Sequence, residues 1–221
     1  MVKIIEIFSS IQGEGPYVGE EQAFVRLYGC NLACKFCDES SKSEFTEYFA
    51  DGLIGRIINE GRKTISFTGG EPLLQAESLR EIFQVLKEKG SRIYLETNGT
   101  LKDELLKVID YVDVISMDVK LPSSTGCGPF WREHEDFLKE AVRKEAFVKS
   151  IVTPETLLSD IERAVSVVEK VDKNIPFIIQ PVSYNGNIEK IGALGVFLTS
   201  ASRRLKNVRI IPQAHKILGV K

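Results

Sequence analysis

Residues 27–38 read Leu27-Tyr28-Gly29-Cys30-Asn31-Leu32-Ala33-Cys34-Lys35-Phe36-Cys37-Asp38, three cysteines in a C-x3-C-x2-C spacing directly after the apolar run 23–27. The run is short, apolar and β-rich, a candidate strand. A closed structural zinc site takes four protein ligands, usually as two pairs. No second Cys pair or Cys/His pair follows, and a zinc reading has to borrow Cys127, His134 or His215. Three thiolates suit a 4Fe–4S cluster better, because they leave one iron open to a small molecule.

Six more β-rich runs follow, at residues 64–67, 92–95, 112–117, 146–152, 176–180 and 208–211. Helical patterns separate most of them. Leu79, Ile82, Phe83 and Leu86 obey the i, i+3, i+4, i+7 rule, and Gly90 supplies a stop. Leu157, Ile161, Val165 and Val168 form a second stripe, with Thr153-Pro154-Glu155 as its expected opening. Both stripes read as core-facing. Strands alternating with helices imply right-handed crossovers and a parallel sheet clad in helices. The fold class expected is α/β, an incomplete TIM-like barrel, with a doubly wound sheet as the alternative. Residues 38–51 and 122–129 read as irregular loops.

The chain has 221 residues, 43% of them hydrophobic, enough for one well-cored domain over residues 1–221. Its net charge of −2 gives no basic footprint for nucleic acid. No apolar run approaches the roughly 20 residues that span a bilayer. The start, MVKIIEIFSS, lacks a signal-peptide pattern, and four cysteines without a paired framework suit a reducing compartment. A cytoplasmic location is the expectation.

In a barrel of this kind, chemistry collects where strands end. Run 64–67 ends in Thr68-Gly69-Gly70-Glu71-Pro72, where two glycines let backbone approach a ligand and Glu71 can pair with an ammonium. Run 92–95 ends in Glu96-Thr97-Asn98-Gly99, which is also ordinary turn chemistry. Run 112–117 ends in Asp118-Val119-Lys120. Asp118 and Lys120 share a face, pointing into the barrel mouth or forming a solvated surface pair. Run 176–180 ends in Gln180-Pro181-Val182-Ser183, with an amide to offer. Arg26, inside an apolar run, either snorkels or faces a cavity with an anion. His134 stands among Arg132, Glu133, Glu135 and Asp136 and reads as a solvated helix residue. His215 reads as structural, and Cys127 as a free thiol on a Gly-rich loop.

The cysteine spacing, followed by G-G-E-P at 69–72, resembles the radical S-adenosylmethionine (SAM) family, in which the open iron binds the amino and carboxylate groups of SAM. Gln12-Gly13-Glu14-Gly15, Phe24-Val25-Arg26 before Gly29-Cys30, and Pro212-Gln213 before His215-Lys216 and Leu218-Gly219 resemble, within it, the 7-carboxy-7-deazaguanine synthase family. The resemblance covers almost the whole chain and implies a (βα)6 barrel of the radical SAM type. It implies a lyase that cleaves SAM reductively to a 5′-deoxyadenosyl radical. That radical takes hydrogen from 6-carboxy-5,6,7,8-tetrahydropterin, ammonia is lost, and 7-carboxy-7-deazaguanine forms for the queuosine or archaeosine of tRNA. The implied cofactors are the 4Fe–4S cluster, SAM and Mg2+.

Position by position, the resemblance implies that Cys30, Cys34 and Cys37 hold the cluster. Ile11, Gln12, Gly13, Glu14, Arg26, Thr68 and the terminal Lys221 match substrate-contacting positions, with Arg26 on the pterin carboxylate. Phe36, Cys37, Asp38, Gly69, Gly70, Glu71, Asp118, Val119, Lys120, Gln180, Pro181, Val182 and Ser183 match SAM-contacting positions. Where the family carries a Thr or Ser for magnesium, this chain has Glu39, with Ser40 next; either oxygen suits a hard cation. The implied partners are a small-molecule pterin, a reductant such as flavodoxin or ferredoxin, and a second copy in a homodimer, with no direct nucleic-acid or membrane contact. Two other readings share the cysteine motif: a glycyl-radical-enzyme activase, and an electron-transfer or sensor module that uses the cluster alone.

Overall fold

A computed structural model describes residues 1–37, 44–184 and 187–221. Asp38, Glu39 and Ser40 lie outside the described residues. All seven β-rich runs are strands of one parallel array: β2 (Glu21–Leu27), β4 (Thr64–Gly69), β5 (Arg92–Thr97), β6 (Val114–Asp118), β7 (Glu145–Val152), β8 (Phe177–Pro181) and β11 (Val208–Ile210). Each neighbouring pair is joined by a crossover helix: α1 (Ala50–Asn59), α2 (Ala76–Glu88), α3 (Lys102–Val108), α5 (Trp131–Ala141), α6 (Leu158–Val171) and α7 (Leu194–Ser202). Six βα crossovers, with no pairing of the two outermost strands among the described residues, make the incomplete barrel that the alternation predicts.

Two strands of the main sheet escaped the sequence pattern. The sheet continues past β2 with β1 (Val2–Ile11), antiparallel to it, and then with β3 (Thr46–Tyr48). β1 is half-buried along most of its length, so it lacks a sustained apolar run. Residues 122–129 are not wholly irregular: Pro122 opens a single helical turn, α4 (Pro122–Thr125), and Gly126 ends it at φ 72°. α6 starts later than expected. Thr153 and Thr156 bond each other across a closed turn, and Leu157, 58% exposed, precedes the helix instead of joining its buried stripe. Gly90 does stop α2, in the left-handed region at φ 82°. A small hairpin, β9 (Ser183–Tyr184) with β10 (Asn187–Ile188), and α8 (Ala214–Leu218) complete the described chain.

Strand periodicity sorts the side chains. Val25, Leu27, Ile65, Phe67, Ile93, Leu95, Ile115, Met117, Val148, Phe177 and Ile179 join the helices in the main core. The alternate positions face inward. Low in the barrel these are Tyr94, Val114, Phe147 and Ile178, a second apolar cluster that Tyr17 helps to plug. Gly15, at φ 66°, lies so close to the Phe147 ring that a Cβ there would overlap it. Apolar outside and apolar beneath, the barrel leaves its chemistry to the upper inward positions.

Candidate active site

One or two inward steps above that floor, the strands turn polar: Arg26 on β2, Thr68 on β4, Glu96 on β5, Asp118 on β6, Lys149 on β7 and Gln180 on β8. Arg26 stands beside Thr68 and Asp118 beside Lys149 in the sheet register. All but Gln180 line a cleft of about 230 Å³ at the C-terminal ends of the strands, with Cys30, Cys34 and Cys37 on its wall. This is the end where a parallel barrel holds its reactive groups.

Ion pairs organise the cleft. Glu14 receives Lys149 Nζ on one carboxylate oxygen and Gln213 Nε2 at 2.8 Å on the other. Burial disfavours both ions, but each holds the other charged. Lys149 pulls the Glu14 pKa down to about 2, while Glu14, with Glu96 and Asp118 nearby, pushes that of Lys149 up. Glu96 accepts Gln12 Nε2 at 3.0 Å and Thr68 Oγ1 at 2.9 Å, so one carboxylate orients two residues expected on substrate. Lys120 Nζ sits 2.8 Å from Asp118 Oδ2 and 5.9 Å from the centre of the Phe36 ring. Burial opposes the Lys120 charge, yet Asp118 and Cys34 raise its pKa.

Arg26 crosses to β1, where its Nε meets Glu6 Oε1 at 2.8 Å and its guanidinium stacks over Phe8. The Lys221 ammonium reaches the same Glu6, and its carbonyl accepts Ser10 Oγ at 2.5 Å. Lys221 thereby lines one side of the cleft. α8 is seated on the Gln12–Gly15 loop by a bond from Ala214 N to Gly13 O at 2.8 Å, and a Cβ at position 13 would collide with the His215 ring. Only glycine permits that approach.

The cysteine loop packs on the G-G-E-P turn as tightly. Glu71 N donates to Gly29 O at 2.8 Å, and a Cβ on Gly70 would fall on that same carbonyl. Glu71 itself is fully buried and accepts Leu73 N, Thr97 Oγ1 and Asn98 N. Burial raises its pKa to about 7 against the pull of those donors. Glu71 therefore knits three strand ends together behind the wall. Val119, Gln180 and Pro181, also expected against SAM, are buried and lie behind it too. On the wall itself are Ile11, Gln12, Gly13, Glu14, Arg26, Phe36, Thr68, Gly69, Gly70, Asp118, Lys120, Val182, Ser183 and Lys221.

His134 corrects its sequence reading. It is buried, not solvated, because i+3, i+4 and i+7 from it stand Phe137, Leu138 and Ala141 on the inward face of α5. Its Nε2 lies 3.1 Å from Asn98 O and 3.5 Å from Lys120 N, and its Nδ1 is buried with no partner among the described residues. Burial then lowers its pKa to about 4. A depressed histidine pKa favours the folded state above pH 6.5, and that stabilisation is lost as pH falls toward 4. At about 1.4 kcal/mol per unit, His134→Gln should remove about 3 kcal/mol of acid sensitivity from denaturant midpoints measured between pH 8 and 4. An identical pH slope in wild type and variant would discard this account.

The donor set fits a cluster and SAM. Asp118 Oδ1 and Ser183 Oγ are buried polar atoms on the cleft wall with no partner among the described residues. Such atoms call for a polar ligand. Burial, with Cys127 beside it, pushes the Cys34 thiol up to about 12, so a metal must displace its proton on binding. Among the described residues no three His, Cys, Asp or Glu side chains gather as a single-ion site. A cluster spreads its thiolates wider than one ion does.

Comparison with known proteins agrees with this geometry. The Radical SAM superfamily model matches residues 24–153. The 7-carboxy-7-deazaguanine synthase of Geobacter sulfurreducens is 39% identical, covering 97% of this chain and 96% of its own. That of Methanocaldococcus jannaschii is 32% identical, covering 98% and 99%. Among solved structures, QueE from Escherichia coli superposes with a TM-score of 0.68 at 22% identity, over 97% of this chain and 94% of its own. Streptococcus suis SuiB, solved bound to S-adenosylmethionine, superposes with a TM-score of 0.58 at 15% identity, over 83% and 44%. This chain is a radical SAM enzyme and belongs to the 7-carboxy-7-deazaguanine synthase family.

Proposed function

We propose that the chain converts 6-carboxy-5,6,7,8-tetrahydropterin to 7-carboxy-7-deazaguanine with loss of ammonia, in the cleft just described. The observation that carries this reading is that Arg26, Thr68, Glu96, Gln12 and Glu14 line the same cleft as the three cysteines. When bound, the cluster and SAM supply the electron and the radical that begin the reaction. The protein's part is to bind, orient and exclude water. Cys30, Cys34 and Cys37 hold the cluster. Asp118, Lys120 and Ser183 offer SAM a carboxylate, an ammonium and a hydroxyl, and the side-chain-free Gly69-Gly70 backbone lets it lie close.

Arg26 faces the substrate carboxylate, where its planar fork suits two oxygens. Glu96 holds Gln12 and Thr68 in place, and the Glu14–Lys149 pair anchors the loop that carries Gln12 and Gly13. Arg26→Lys should weaken pterin binding about ten- to a hundredfold, the worth of a charge-assisted hydrogen bond, while uncoupled SAM cleavage survives. Calorimetry with the pterin checks this; unchanged affinity in Arg26→Ala would make Arg26 a structural residue.

Mg2+ completes the proposed cofactor set, with Glu39 as its ligand and Ser40 the alternative, both outside the described residues. If Glu39 ligates, Glu39→Thr should stay active but need more magnesium, and Glu39→Ala more still. Three coincident titrations of magnesium against product would exclude Glu39. The physiological reductant is proposed to be a flavodoxin or ferredoxin, supported by the exposure of Cys30 at the cleft mouth. Exposed Ile188, Ile217 and Leu218, on the adjoining β10 and α8, support a homodimer. No helix among the described residues is long and apolar enough to cross a membrane; a cytoplasmic setting is proposed with the oxygen-sensitive cluster. The relatives named above carry neither rival function, and a lone electron-transfer role gives no use to the polar ring.

A further inference from the structure

Cys127 stands outside the cluster motif, yet its sulfur touches that of Cys34 at 4.0 Å. The contact is built by two loops locked to each other. Lys35 N donates to Thr125 O at 2.9 Å, beside Cys34 on one loop and two residues before Cys127 on the other. Gly126 turns the chain at φ 72° directly beside the Lys35 side chain, which packs over the turn. Cys127 N is held by Thr125 Oγ1 at 3.1 Å, and Ser124 Oγ is tied to Ile151 O at 2.7 Å. Both thiols are partly exposed, within reach of a small oxidant.

We propose that Cys34 and Cys127 form a reversible disulfide whenever the chain is free of its cluster and meets a low-molecular-weight disulfide. The bond is about 2.05 Å long, so the sulfurs have about 2 Å to close between loops already in register. The exchange balances simply. One cysteine thiolate attacks the small disulfide and releases one small thiol. The other cysteine thiolate then displaces the second, forming Cys34–Cys127 and reducing the oxidant to two thiols. The middle cluster ligand is thereby withheld from iron and shielded from irreversible oxidation until a dithiol restores it. Bond formation does not depend on the cluster assignment; only the consequence for iron does.

The test uses the full chain, freed of iron under reducing conditions and then exposed to oxidised glutathione. Intact mass should fall by about 2 Da, with a Cys34–Cys127 cross-linked peptide in the non-reduced digest while Cys30 and Cys37 still alkylate. The oxidised chain should take up iron and sulfide only after dithiothreitol, whereas the unoxidised chain takes them up directly. Cys127→Ser should load iron like wild type. A Cys34–Cys37 bond, stable glutathione adducts, or four alkylated thiols would overturn the proposal, and iron loss in Cys127→Ser would make Cys127 a ligand instead. Failure of the unoxidised wild type to load iron is a different result, one that strikes the cluster assignment itself.

Discussion

Replacing Cys30, Cys34 or Cys37 with alanine should each reduce cluster iron and 5′-deoxyadenosine formation to background, while Cys127→Ala keeps both. Three thiolates are the minimum that leaves a cluster with a single open iron, so the loss of any one is not graded. The three line one cleft, on a loop whose backbone is clamped to Gly70 and Glu71. Iron per chain and 5′-deoxyadenosine after anaerobic reconstitution measure the effect. Retention of full SAM cleavage without Cys34 would reassign the ligands.

Lys149→Met should be the most destabilising change in the barrel interior. The side chains of Lys149 and Glu14 are only 8% and 12% exposed, so removing the ammonium strands a carboxylate away from water. Breaking one side of such a pair costs about 3–5 kcal/mol, which for a chain of this length is on the order of 10 °C in Tm. Replacing both charges removes the stranded ion, so Glu14→Leu with Lys149→Met should recover much of that loss. A double variant as unstable as the sum of the two singles would mean that the pair contributes through packing alone. Lys149→Met should also weaken pterin binding, because the loop bearing Gln12 and Gly13 loses its anchor.

The parallel strands were legible because their outward positions are apolar and rich in Val and Ile, a signal that survives whatever faces inward. β1 was not, since Glu6, Ser9 and Ser10 break its pattern and its far half serves the cleft through Phe8 and Ile11. The contiguous motifs were legible as chemistry, yet the bonds by which Glu71 ties its turn to Thr97 and Asn98 were not. Lys149 carried the same signal as Arg26, a charge inside an apolar strand, and the same argument applied to it would have placed it in the cleft. His134 was hidden by its charged neighbours, although its helical spacing to Phe137, Leu138 and Ala141 points inward. Gly13 against His215 joins residues at opposite ends of the chain, and no local pattern announces it.

The most direct measurement is a single anaerobic turnover. The reconstituted chain, given SAM, dithionite, magnesium and 6-carboxy-5,6,7,8-tetrahydropterin, should yield 7-carboxy-7-deazaguanine and ammonia in equal amounts by mass spectrometry, with SAM regenerated. SAM cleaved to 5′-deoxyadenosine with the pterin recovered intact would contradict the assignment of this cleft to that substrate.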